Sequence, residues 1–154
     1  MNSPFLARLD AAPLLCDGAM GTMLYSLGIS YERCFDELNI TAPQLVQQVH
    51  RDYIAAGAEL IETNTFGATR FKLAPHGLEG QVREINLRGV KVAHEAREIS
   101  GEQVFLAGSV GPTGRPLAPI GSITPVEAHD AFREQIEALL EGGEIGRASC
   151  RERV

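Results

Sequence analysis

Short apolar runs and one-sided helical patterns alternate along this chain. Leu14-Leu15-Cys16, Leu60-Ile61-Glu62 and Val104-Phe105-Leu106-Ala107 have the length and composition of buried strands. Each breaks off into small polar residues: Asp17-Gly18-Ala19-Met20-Gly21-Thr22, Thr63-Asn64-Thr65-Phe66-Gly67 and Gly108-Ser109-Val110-Gly111-Pro112-Thr113-Gly114. A helical pattern follows each end. Thr41 is placed to cap a helix over 43–56, with Pro43 in the first turn, where a missing N–H costs nothing. Leu45, Val49 and Tyr53, flanked by Val46 and Ile54, form its apolar stripe, and Gly57 stops it. A second helix is expected over 81–99, with Val82, Ile85, Val92, Ala93 and Ala96 on one face. The third opens on Thr124-Pro125-Val126-Glu127, a capping box with Pro at the first helical position. Its stripe is Ala128, Phe132, Ile136, Leu139 and Leu140, and Gly142-Gly143 ends it. Weaker patterns predict short helices at 5–9 and 23–27. The stretch 68–80 is longer than an ordinary connection, and such loops tend to carry function.

Strands alternating with helices imply right-handed βαβ units on a parallel sheet, an α/β fold. Parallel strands that all end in small polar residues bring those ends together on one face, where α/β proteins build their sites. The alternation fails after Gly143. Another apolar strand is due there, yet residues 144–154 carry three Arg and two Glu with no stripe or alternation. The expectation is therefore a folded unit over 1–143 and a tail over 144–154 foreign to it.

Composition narrows the function. A chain of 154 residues suits one domain, and 44% hydrophobic with 22% charged residues fits a globular one. A net charge of −6 argues against nucleic acid or an anionic membrane surface as partner. No apolar run nears the roughly 20 residues of a membrane span, and the N-terminus has no secretory pattern. Three widely spaced cysteines, Cys16, Cys34 and Cys150, fit a reducing cytoplasm rather than a disulfide framework.

The strand ends hold the candidate chemistry. Asp17 offers a carboxylate for a substrate ammonium group, with Gly18 and Gly21 letting a ligand approach the backbone; the plainer reading is an Asp-Gly turn. Asn64 has a donor and an acceptor to aim into a cleft, or to close an Asx turn. Ser109 has the same two readings, and Gly108 and Gly111 beside it suit backbone N–H groups that receive a carboxylate. Glu62, inside an apolar run, needs a partner or a ligand. Other motifs fail. Gly108 to Gly114 is not a dinucleotide fingerprint, and the chain has no phosphate loop. His50, His76, His94 and His129 lack metal spacing and read as surface or boundary residues, and Cys16 as a small core residue.

Taken together, Asp17-Gly-Ala-Met-Gly-Thr22, Arg33-Cys-Phe-Asp-Glu-Leu-Asn39, Glu62-Thr-Asn-Thr-Phe-Gly-Ala-Thr69 and Gly108-Ser-Val-Gly-Pro-Thr-Gly114 resemble the homocysteine S-methyltransferase family. Its nearest branches are the homocysteine domains of cobalamin-dependent methionine synthases and the bacterial fusions to a methylenetetrahydrofolate reductase. The resemblance implies a (β/α)8 barrel, here about three βα units of it and so incomplete. It implies that Asp17 and Gly18 hold the amino-acid part of homocysteine and that Asn64 and Ser109 line the pocket. It further implies zinc, held by three cysteine thiolates, that activates the homocysteine sulfur. The methyl group would come from cobalamin or methyltetrahydrofolate through further domains. Those metal cysteines have no counterpart here: the adjacent pair is missing, and Cys16 and Cys34 fall outside the ligand motifs. An inactive fragment is the expectation, with a non-catalytic amino-acid or thiol binding module as the alternative.

Overall fold

The computed structural model describes residues 4–143 and the backbone of 147–150. A leading helix α1 (Pro4–Ala11) is followed by α2 (Met20–Ser26), α3 (Leu38–Thr41) and α4 (Pro43–Ala55). Strand β1 (Leu60–Glu62) leads through α5 (Arg70–Leu73) and two 3-10 turns into α6 (Val82–Ser100). Strand β2 (Phe105–Val110) then precedes α7 (Pro125–Glu141) and β3 (Arg147–Cys150). The sheet is parallel, in the order β1-β2-β3, with Leu60 opposite Phe105 and Ala107 opposite Arg147.

The first expected strand is reduced to one parallel bridge, Cys16 to Leu60, with the Asp17 N–H on the Leu60 carbonyl at 2.9 Å. It forms the open edge of the sheet, so Cys16 is exposed rather than a core residue. Within the expected tail the structure describes one stretch. Arg147–Cys150 occupies the position where a strand was due, pairing with Ala107 to Val110. Ladder pairing uses backbone groups common to every sequence, so no apolar run announces this strand. The remainder of the expected tail, 144–146 and 151–154, lies outside the described residues.

Helices α4, α6 and α7 cover one face of the sheet. Ile54, Ala58, Ile61, Ala93, Val104 and Leu106 pack between helix and strand, and Val90, Val110 and Leu139 seat α7. The α6 stripe is buried as expected, and the Thr124–Glu127 capping box forms in both directions. Two details differ. Thr41 caps nothing in α4, whose N-cap is Ala42; its hydroxyl instead donates to the Glu37 carbonyl within α3. Leu140 is 62% exposed, because the buried stripe of α7 turns through Ala128, Ala131, Gln135, Ala138 and Leu139.

Candidate active site

The strand ends meet as anticipated, and hydrogen bonds link them in series. Asp17 accepts the Glu62 N–H on Oδ2 at 3.0 Å. Glu62 in turn accepts the Ser109 hydroxyl on Oε2 at 3.0 Å. The acid left unassigned in the sequence thus joins the first strand end to the third. Two carboxylates now stand at the mouth of the sheet. Burial pushes the Asp17 carboxyl up to about 6, against hydrogen bonds that favour its charged form, the largest from the Glu62 N–H. Gly18 lies against Tyr53: a Cβ there would sit 2.8 Å from the Tyr53 hydroxyl, which donates to the Ala19 carbonyl at 3.0 Å. Among the expected site residues, Asp17, Gly18 and Ser109 therefore surround one corner.

Asn64 points elsewhere. Its amide donates to the Phe35 carbonyl at 2.8 Å and to Asn39 Oδ1 at 3.0 Å, and the residue is 7% exposed. Nor do the backbone N–H groups of the third end await a carboxylate. Ser109 N–H donates to Thr63 Oγ1 at 3.0 Å and Gly111 N–H to the Phe66 carbonyl at 3.1 Å. β2 extends to Val110, so Ser109 lies in the strand and Gly111 just after it, and the neighbouring turn Thr63–Gly67 takes both donors.

What holds the corner is a buried polar shell around the turn Thr63–Gly67. Asn39 donates to the Asn64 carbonyl at 2.7 Å and to the Ile85 carbonyl at 3.2 Å. Asp36 accepts the Gly67 N–H at 2.9 Å, and burial raises its carboxyl to about 6. Gln135 donates to the Thr65 carbonyl at 2.6 Å, and Asn86 to the Ala68 and Val82 carbonyls. Thr65 donates its hydroxyl to the Ser109 carbonyl at 2.8 Å. That proton being spent, the 2.7 Å contact between Thr63 and Thr65 must run from the Thr63 hydroxyl to Thr65. A one-way ring results: Ser109 N–H to Thr63, Thr63 to Thr65, Thr65 to the Ser109 carbonyl. On α6, Gly89 leaves room for it, since a Cβ there would lie 2.6 Å from Thr65 Cγ2 and 2.8 Å from Asn39 Nδ2.

Sequence reading missed Asp36, Asn39, Asn86 and Gln135. A signal existed for two of them. Asn86 follows Ile85 and lies four residues after Val82, while Gln135 lies three after Phe132 and four before Leu139, so both are polar residues on apolar faces. His50 carried the same signal. Expected at the surface or a boundary, it is fully buried beside Val46, Val49 and Ile54 on α4, both ring nitrogens without a hydrogen bond. Burial lowers its pKa to about 4, so the ring is neutral.

Neither Cys16 nor Cys34 fits a thiolate metal site. Though Cys16 is exposed as a residue, partial desolvation of its thiol, aided by Asp17, pushes it up to about 12, and burial likewise raises Cys34 beside Asp36. Among the described residues no three His, Cys, Asp or Glu side chains converge on a metal position, and no helix is long and apolar enough to cross a membrane.

Known proteins resemble this chain in sequence and fold. The family model for homocysteine S-methyltransferase matches residues 14–144. Methionine synthase of Mycobacterium tuberculosis is 32% identical over 151 residues, covering 92% of this chain but 13% of the relative. That of Mycobacterium leprae is also 32% identical, covering 92% and 12%. Among solved structures, the metallated form of the homocysteine methyltransferase MmuM from Escherichia coli superposes with a TM-score of 0.79 at 31% identity. That match covers 96% of this chain and 57% of MmuM. The chain thus spans a little over half of one relative and about an eighth of the others. By its matched residues and its fold, the chain belongs to the homocysteine S-methyltransferase family.

Proposed function

We propose that this chain carries the amino-acid-holding part of a homocysteine S-methyltransferase, its parallel sheet being the first strands of a (β/α)8 barrel. One observation carries the reading: Asp17, Glu62 and Ser109 come from three successive strand ends and are joined in series. Among the described residues no cation pairs with either carboxylate, so together they attract an ammonium group, and its arrival favours the charged form of Asp17, reversing the effect of burial. Gly18 keeps the backbone low beside that carboxylate, and Ser109 holds Glu62 in place. Asn64 shapes the pocket from behind, through its bonds to Phe35 and Asn39. Homocysteine is the amino acid the family reading supplies, and the methyl donor, cobalamin or methyltetrahydrofolate, would be delivered by other parts of the protein.

Zinc is the metal the family reading implies. The thiols of Cys16 and Cys34 do not fit it: among the described residues neither meets two further His, Cys, Asp or Glu side chains, and both are held toward the protonated form.

Calorimetric titration of the reduced chain with homocysteine, with and without zinc, tests the reading. Binding should weaken about tenfold from pH 7 to pH 5 as Asp17 takes up its proton, and Asp17→Asn should lower affinity at least as much. Absence of homocysteine uptake in both conditions, or an Asp17→Asn chain that binds like wild type, would overturn it.

A further inference from the structure

We infer that Gln135, on the helix of the following βα unit, is a positioning residue for the strand-end site, acting through the Thr65 carbonyl. The inference deepens the functional reading above and rests on it. Gln135 lies in the buried stripe of α7 and is fully buried. Ala131 and Ala138, four before and three after, leave space around it. A leucine would meet the needs of packing alone, and burying a primary amide is costly unless it is bonded. The oxygen Oε1 is buried without a partner, so the amide is kept for its nitrogen. Nε2 donates to the Thr65 carbonyl at 2.6 Å and lies 3.3 Å from Asn86 Oδ1, while Asn86 spends its own donors on Ala68 and Val82.

Thr65 is the residue through which this reaches the site. Its N–H donates to the Thr63 carbonyl, its carbonyl also takes the Ala68 N–H, and its hydroxyl holds the Ser109 carbonyl. Fixing the Thr65 peptide therefore fixes the one-way ring with Thr63 and Ser109, and with it the direction of the Ser109 hydroxyl toward Glu62. Gln135 touches neither Asp17 nor Glu62. The charged neighbours face away from this path: Glu134 pairs with Arg70 and Arg83 with Glu141 across the surface of α7.

Two variants of the full chain test this. Gln135→Leu keeps the volume and loses the donor. Amides of Gly67, Ala68 and Ser109 should then exchange about tenfold faster with solvent while those of α4 and α6 stay unchanged, and homocysteine affinity should fall about tenfold. Gln135→Glu supplies a donor only when protonated, and burial raises its pKa. Its affinity relative to wild type should be poor at pH 8 and recover toward pH 6, opposite in sign to the loss wild type shows at low pH. Exchange confined to no particular segment, or a variant-to-wild-type ratio flat with pH, would overturn the inference. Should Gln135→Leu fail to fold, the pH ratio of Gln135→Glu decides. Should wild type bind no homocysteine, the functional reading fails, and local exchange in Gln135→Leu and in Gln135→Glu at pH 8 still decides the role of Gln135.

Discussion

Two strand ends that look alike in sequence are built in opposite ways. The turn Thr63–Gly67 buries Thr63, Asn64 and Thr65 and is tied by side chains from the segment 35–39 and from α7. The end at Asp17–Ala19 lies at the sheet's open edge, held by the Leu60 carbonyl, the Glu62 N–H and one tyrosine hydroxyl. The first is a frame, overdetermined and without spare donors at Ser109 or Gly111. The second keeps a carboxylate that burial pushes up to about 6, so it gains from any cation that arrives. A ligand site needs both. Polar residues at a strand end do not by themselves say which of the two a given end will be.

Three substitutions break this contrast in order of severity. Gly111→Ala should be the most damaging, because its Cβ would lie 2.4 Å from the Phe66 carbonyl oxygen, a backbone atom with nowhere to go. A loss of about 3 kcal/mol or outright misfolding is expected by urea denaturation. Asn39→Ala follows. It strips a partner from the Asn64 and Ile85 carbonyls and from the Asn64 amide, all inside the protein, for about 2 kcal/mol. Gly18→Ala at the open end should cost least, about 1 kcal/mol, since the Tyr53 hydroxyl can swing aside at the loss of its bond to Ala19. Thermal melts ranking Gly18→Ala as worse than Asn39→Ala would mean that the open end, not the buried turn, carries the frame.

The α/β alternation, α6, α7 with its capping box, and the meeting of strand ends were legible because they rest on periodicity and local capping. The rest has other origins. Arg147–Cys150 enters the sheet by ladder pairing, which no side-chain pattern records, while the family match stops at residue 144. Asn64 and Ser109 were found as polar residues at strand ends, but the direction each faces depends on partners far along the chain, such as Asn39 and Glu62. His50 is the clearest case. Its place on the apolar stripe of α4 signals burial, but that both ring nitrogens go unbonded there is visible only in the three-dimensional packing. Its lowered pKa means that it contributes stability above about pH 6.5, lost as pH falls toward 4. Asp17 and Asp36, with raised values, favour the folded state in the opposite direction over roughly pH 4 to 6.

Gly89 sits in the interior of α6, where an alanine would make the helix itself more stable by about 1 kcal/mol. The chain forgoes that gain so that the helix axis can come close enough to touch Thr65 and Asn39. Attempts to rigidify this protein by the usual replacement of helical glycines would therefore push α6 outward, loosening the pocket while strengthening the scaffold.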